Sequence, residues 1–144
     1  MTKLSEVFDI FLIKSRPTGL LSGKYTKEEI QDILFDYYKI AKGKFRVCEN
    51  NLNILEDPLT GEKYFENDLN SDEIDILSTL MVVEYLRPIM LSDDVTKQKL
   101  SDKDFKVTSQ ANQMKELRLL YKAMISEANK LITQYTYREL GDEK

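Results

Sequence analysis

The sequence contains no histidine and only one cysteine, and these absences exclude much of the chemistry on which enzymes depend. Without histidine, the commonest general base and transition-metal ligand is missing, and no Ser-His or Cys-His nucleophile pair can form. A single cysteine, Cys48, excludes an intrachain disulfide and any Cys-X-X-Cys site. We therefore predict a protein that is not an enzyme and holds no cofactor and no metal. Cys48 is interpreted as a half-buried, unreactive thiol in a reducing cytoplasm.

Strong charge of one sign and long apolar runs are also lacking. The chain has 21 Lys and Arg against 25 Asp and Glu, a net charge of −4, and the two signs are interspersed. No broad basic field is therefore expected to attract nucleic acid or anionic lipid. No apolar stretch approaches the roughly 20 residues that a membrane helix needs, and the short N-terminal run is interrupted by Asp9. The sequence predicts neither a membrane-spanning helix nor a signal peptide.

Glycine and proline are scarce as well, with five and three residues in 144, so few positions interrupt the chain. The spacing of apolar residues predicts an all-α fold, a small helical bundle that forms one domain over 1–144. The predicted elements are a short helix over 3–14, a helix over 27–42, a long loop over 44–69 with a small hairpin around DPLTGEKY, a buried helix over 71–91, and a long C-terminal helix over 109–140.

Capping residues and breakers set these boundaries. Thr26 with Glu29 forms a capping-box pattern, and Gly43 is expected to stop the same helix. Asn70 or Ser71 is expected to cap the next helix, which is apolar on nearly every side and should therefore be buried. Pro88 lacks an N–H and crowds the preceding turn, so it is expected to kink or terminate that helix.

The last helix carries a near-heptad apolar stripe, which predicts a packed partner helix. Its members are Met114, Leu117, Tyr121, Met124, Ala128, Leu131 and Tyr135. Acidic pairs elsewhere are interpreted as complements of helix dipoles, as in Asp72-Glu73, or as a solvated turn, as in Asp93-Asp94.

The polar stretch SDKDFKVTSQANQMKEL precedes that long helix. Thr108 or Ser109 can cap the helix, and Phe105 is one large apolar anchor among polar neighbours. Such a patch is typical of a surface that docks on another protein. The predicted protein-interaction residues are Lys103, Asp104, Phe105, Ser109, Gln110 and Asn112.

Two short motifs carry a family resemblance. The apolar helix is closed by Tyr85-Leu86-Arg87-Pro88, and Lys103-Asp104-Phe105 is followed shortly by Ser109-Gln110-Ala111-Asn112. Over roughly 68–138, in IDILSTLMVVEYLRPIM, SDKDFKVTSQANQMKELRLLYK and ITQYTYREL, the sequence resembles the head-tail connector, or neck, proteins of tailed bacteriophages. A weaker similarity lies in EEIQDILFDYYKIAKGKF.

The resemblance implies a structural virion protein in the neck of the particle, assembled in the cytoplasm of a bacterial host. Its implied partners are the portal protein, the next tail or neck protein and neighbouring copies of itself. Those copies would form a homo-oligomeric ring, dodecameric on the portal, from subunits that can be monomeric alone. DNA would be passing cargo.

Two other function classes are compatible with the residues. A cytoplasmic helical regulator or inhibitor that binds a host or phage protein would use the same amphipathic faces. An enzyme that uses Asp or Glu with a metal is the third reading. Presence of the protein in virus particles would favour the connector over the regulator. A shift of its melting temperature with divalent ions would indicate the metal-dependent enzyme.

Overall fold

The structure is a computed structural model, and it describes residues 1–17, 23–100 and 108–142. Within these residues, four helices and two strands follow in the order α1 (Leu4–Ser15), α2 (Lys27–Lys44), β1 (Ile54–Glu56), β2 (Lys63–Phe65), α3 (Ser71–Leu100) and α4 (Thr108–Asp142). The all-α class is confirmed, since the only sheet in the described residues consists of two strands of three residues each.

The first two helices agree closely with their predicted bounds of 3–14 and 27–42. Thr26 accepts a hydrogen bond from the backbone N–H of Glu29 at 3.1 Å, and the Glu29 carboxylate accepts one from the Thr26 N–H, which completes the predicted capping box. The prediction that Gly43 stops α2 is wrong by a short distance. The helix continues to Lys44, and Phe45 ends it by entering the core, where it is 2% exposed.

The predicted hairpin is confirmed. Strands β1 and β2 are antiparallel and pair Ile54 with Phe65, Leu55 with Tyr64, and Glu56 with Lys63. The Asp57 carboxylate accepts the Leu59 N–H at 2.9 Å, which tightens the turn between the strands. Gly61 has a φ of 73°, a left-handed conformation that side chains disfavour. Asp57, Pro58, Thr60 and Gly61 thus act as the turn residues that the sequence indicated.

Helix α3 differs most from its prediction, because it continues past Pro88 to Leu100 rather than ending near residue 91. Termination at Pro88 is therefore wrong. Residues after the proline still have an apolar side to bury, since Met90 is 7% exposed and Ile89 packs on the core. That burial offsets the lost backbone hydrogen bond. Asp93-Asp94, interpreted as a turn, lies inside the helix.

The core is arranged around α3, which packs against α1, α2 and α4. Residues Ile76, Leu77, Met81, Val82 and Leu86 are all 1% exposed or less, as expected for a helix covered on several sides. Three aromatic rings, one from each of α1, α2 and α3, fill the space between these helices. Their centroids are 6.0 to 6.2 Å apart, and the rings are those of Phe11, Tyr37 and Tyr85.

A polar clamp also joins α1 to α3. Lys14, at the apolar edge of α1, places its ammonium 3.0 Å from the Ser78 hydroxyl, 2.9 Å from the Thr79 hydroxyl and 3.2 Å from the Asp75 carbonyl oxygen, and it forms an ion pair with the Asp75 carboxylate. Ser78 and Thr79 are 0% and 1% exposed. The buried hydroxyls on α3 therefore have partners, and α1 is fixed in register on α3.

Candidate protein-interaction surface

The predicted interaction residues belong to the link between α3 and α4. Lys103, Asp104 and Phe105 lie outside the described residues. Ser109 and Gln110 lie in the first turn of α4, and Asn112 is exposed one turn later. Thr108 and Ser109 are the first two residues of the helix rather than the residue before it. The structure thus places the described members of this set at the start of α4.

The far half of α4 is fixed to the rest of the protein by Tyr135. The ring of Tyr135 meets the ring of Phe45 edge to face, with 5.2 Å between centroids, and Tyr135 is 4% exposed. Its hydroxyl accepts the Glu49 backbone N–H at 3.0 Å and donates to the Glu73 carboxylate at 3.0 Å. One turn beyond Tyr135, Arg138 forms an ion pair with Asp72. The C-terminal half of α4 is therefore held by both packing and polar contacts.

Glu73 is the centre of that polar contact and is fully buried, at 0% exposure. It also forms a capping box with Asn70, whose side chain accepts the Glu73 N–H at 2.8 Å. Its carboxylate accepts four hydrogen bonds, from the Asn70 N–H at 3.0 Å, the Asn50 amide at 2.7 Å, the Cys48 thiol at 3.2 Å and the Tyr135 hydroxyl at 3.0 Å. The sequence indicated the helix-end role of this acid and gave no sign of the network, because three of its partners are distant in the chain.

The network changes the acidity of its members. Burial by itself raises the pKa of the Glu73 carboxyl, but the hydrogen bonds it accepts outweigh burial, so its pKa lies below the ordinary 4.5. Burial, together with the neighbouring Glu73 carboxylate, raises the pKa of the Cys48 thiol to about 12. Cys48 is thus half-buried and protonated, as its interpretation as an unreactive thiol requires. The network positions elements and offers no activated nucleophile.

The near half of α4 is packed less deeply. Met114, Leu117, Tyr121 and Met124 of the predicted stripe are only half-buried, while Ala128 and Tyr135 further along are buried. The prediction of a partner helix for this stripe is confirmed, and the partner is α3. The opposite side of α4 forms what we call the outer stripe, a row of exposed residues three or four apart: Lys115, Leu119, Lys122, Ser126, Lys130, Thr133 and Tyr137.

Charge on the outer stripe is of one sign, since its only charged members are three lysines. Over residues 112–138, five basic residues face two acidic ones, a net of +3. By contrast, residues 49–75 contain nine acidic residues and one lysine, a net of −8. The opposite charges of these two segments partly cancel in the net charge of −4 for the whole chain. The sequence-based expectation of interspersed charge is therefore wrong at the scale of single elements.

The hairpin contributes a second exposed face within the acidic segment. Because strand residues alternate sides, Leu55 and Tyr64 lie on the side opposite the buried Phe65, and Glu62 and Glu66 flank them. Leu55 is 42% exposed. We call this set the acidic hairpin face. Glu62 forms an exposed ion pair with Lys3, and the Glu66 carboxylate accepts hydrogen bonds from the side-chain amides of Asn51 and Asn53.

Concave sites in the described part of the chain offer little chemistry. A crevice of about 220 Å³ lies between α1, α2 and the hairpin, and its walls include Phe8, Phe35, Asp32 and Lys63. Lys63 places its ammonium 4.0 Å from the centroid of the Phe35 ring, a cation–π contact that occupies part of the crevice wall. No group of three or more potential metal ligands occurs among the described residues. Nor is any helix in those residues long and apolar enough to cross a membrane.

No protein-family model, curated protein or solved structure matches this chain. The residues, their geometry and the family resemblance carried by the two short motifs are therefore what bears on the function of this protein. In the structure, Tyr85 of the first motif belongs to the aromatic contact between α1, α2 and α3. Arg87 forms an ion pair with the buried Glu84 at 3.2 Å. The motif is thus part of the α3 scaffold rather than a turn that closes the helix.

Proposed function

We propose that this protein is a structural virion protein of a tailed bacteriophage, a head-tail connector subunit that docks on the portal ring. In that position it helps to join head to tail around the DNA channel. The observation that supports this most is the packing of α4, a 35-residue helix that lies on α3 and leaves a long outer stripe exposed. Helical faces of this kind serve contacts with other proteins.

The close packing and paired polar groups of the interior support a mechanical role. Helix α3 is covered by three other helices, and its buried acids have partners. Glu73 accepts four hydrogen bonds, and Glu84 lies 3.2 Å from Arg87 and 3.5 Å from Lys44. Paired polar groups and close packing resist deformation, which a part under mechanical load requires.

Charge supports a role beside DNA without a role in holding it. The net charge of −4 gives no overall attraction for phosphate, and each bound phosphate would retard the passage of DNA through a channel. The proposed partners are the portal protein, the next tail or neck protein and neighbouring copies of this chain. Its proposed place is the neck of the virion.

Quantitative mass spectrometry of purified particles tests this proposal. We expect copies of this protein at a fixed ratio to the portal protein, about one to one for a ring that follows the portal's symmetry. Particles assembled without the gene should lack attached tails while their heads are complete. Absence of the protein from intact particles would overturn the connector and favour the regulator that binds a cytoplasmic partner.

The interaction residues predicted from the sequence are tested by one pair of variants. Phe105→Ala removes a large apolar side chain from the polar link before α4, whereas Asp102→Ala removes only a charge. We expect Phe105→Ala to lower the yield of infectious particles much more than Asp102→Ala, because apolar anchors carry most of the binding free energy at protein interfaces. Equal yields for the two variants would show that Phe105 is not an anchor.

A further inference from the structure

Two exposed surfaces of this protein have matching layouts and opposite charge. On the outer stripe, the exposed Leu119 lies between Lys115 and Lys122. On the acidic hairpin face, Leu55 and Tyr64 lie between Glu62 and Glu66. Each surface therefore has an apolar centre with a like pair of charges on either side, the arrangement of an interface core with a charged rim.

The spacing of the charges agrees as well. Seven residues of α-helix separate Lys115 from Lys122 by about 10 Å along the axis. Four residues of strand separate Glu62 from Glu66 by about 13 Å. Long lysine and glutamate side chains accommodate a difference of about 3 Å by tilting, while the apolar stems remain in contact with the centre.

The two surfaces do not satisfy each other within one molecule. The α4 helix is anchored at Tyr135, and Lys122 and Lys115 lie about 20 and 30 Å from that anchor along the helix. No described ion pair joins the hairpin to α4, and the hairpin packs instead beside α1, where Tyr64 pairs with Lys3. A complementary partner for either surface is therefore available on a second copy.

From this complementarity we infer that copies of this protein associate head to tail, with the acidic hairpin face of one copy on Lys115, Leu119 and Lys122 of the next. Different faces meet in such a contact, so a pair of copies still has one free surface of each kind. Repetition of the contact therefore produces a filament, or a ring in which no surface is left free. The inference deepens the proposed function, on which it rests for the closure of the ring, by naming the surface where neighbouring copies meet.

The test is sedimentation equilibrium of charge-reversed proteins. One variant carries Lys115→Glu with Lys122→Glu, and the other carries Glu62→Lys with Glu66→Lys. The measurement is made at an ionic strength of about 0.01 M, where the Debye length is about 30 Å. We expect the average molecular mass of the unaltered protein in solution to rise above that of the monomer as its concentration approaches about 1 mM. Each variant alone should associate at least about tenfold more weakly, because like charges then meet.

An equal mixture of the two variants should restore association, since the acidic stripe of one then meets the basic hairpin of the other. A matched control, Lys24→Glu with Lys27→Glu, makes the same charge change as the lysine-reversed variant at exposed residues that belong to neither surface. It should associate within about twofold of the unaltered protein. Melting curves establish that every variant is folded.

The proposal is overturned if the unaltered protein stays monomeric at every concentration tested, or if a charge-reversed variant associates as strongly as the unaltered protein. It is also overturned if the mixture of the two variants does not associate. A monomer that binds short duplex DNA, and loses this on Lys115→Glu with Lys122→Glu, would also overturn it and assign the stripe to nucleic acid. If virus particles contain the protein at a fixed ratio to the portal while the isolated protein stays monomeric, the connector proposal is retained and only the proposed head-to-tail contact is rejected.

Discussion

The surroundings of Glu73 and of Leu119 show two ways in which one protein uses helical surface. At Glu73, a charge is removed from water completely and is matched by four hydrogen-bond donors from three parts of the chain. At Leu119, an apolar side chain stays 59% exposed on a helix whose opposite side is only half-buried. The first region is saturated with internal contacts, while the second keeps contact capacity for another molecule.

The largest difference between the two regions is expected when the same negative charge is placed in each of them. Leu77→Asp puts a carboxylate at a fully buried position of α3, within the apolar core. Removing such a charge from water without a partner costs several kcal/mol, comparable with the whole stability of a domain. We expect no cooperative melting by circular dichroism. Leu119→Asp is the control and should melt within about 2 °C of the unaltered protein.

Removal of an aromatic ring should have the next largest effect. Phe11→Ala empties a fully buried site between Tyr37 and Tyr85, and we expect the free energy of unfolding to fall by about 3 to 5 kcal/mol in urea titrations. Ile13→Ala, two residues away and 70% exposed, should change it by less than about 0.5 kcal/mol. Similar losses for the two variants would contradict the position of α1 on α3.

Glu73→Gln tests the buried region by itself, because it keeps the shape of the side chain and removes its charge. A glutamine side chain accepts hydrogen bonds through one oxygen only, so the donors that face the other carboxylate oxygen lose their partner. We expect the free energy of unfolding to fall by about 2 to 3 kcal/mol near neutral pH. Hydrogen exchange should also quicken in the part of α4 around Tyr135. Glu49→Gln, an exposed neighbour, is the matched control and should be nearly neutral.

The difference in stability between the unaltered protein and Glu73→Gln should depend on pH, because the pKa of Glu73 is lowered in the folded protein. A carboxyl with a lower pKa in the folded protein contributes stability that is complete above its unfolded pKa and is lost as the pH falls through its folded pKa. The gap in melting temperature between the unaltered protein and Glu73→Gln should therefore be widest above the ordinary value of 4.5 and should shrink below it. A gap that widens in acid would show that Glu73 is protonated in the folded protein.

The smallest effect is expected at the ion pair between Arg138 and Asp72. Its side chains are 70% and 45% exposed, so water and salt screen the attraction. Arg138→Ala should lower the free energy of unfolding by less than about 1 kcal/mol, and the loss should vanish in about 1 M salt. A loss as large as that of Glu73→Gln would mean that this pair, rather than Tyr135, holds the end of α4.

Local signals in the sequence were sufficient for most of the fold. The capping box at Thr26, the Asn70 cap and the turn at Asp57 depend on residues within four positions of one another, so their geometry follows from the local sequence. The course of α3 past Pro88 could not be predicted in the same way, because the reason for continuing is a core that other elements complete.

For the candidate surfaces too, some features follow from the local sequence and others depend on contacts between distant residues. Segment charge was present in the sequence and predicts an acidic and a basic region, but only the strand register places Leu55 and Tyr64 on one face between Glu62 and Glu66. Likewise, the distance of 62 residues between Glu73 and Tyr135 hides their hydrogen bond from any local pattern. Phe105 and its neighbours stay a prediction from sequence, since they lie outside the described residues.

The central position of α3 also has a consequence for synthesis. Helices α1 and α2 leave the ribosome before α3, the helix on which both pack, so Phe11 and Leu34 lack the α3 part of their packing when they emerge. At about 5 to 20 residues per second, the 46 residues from Phe45 to Met90 take roughly 2 to 10 s to translate. During that interval the apolar faces of α1 and α2 lack the cover of α3 and are open to chaperones.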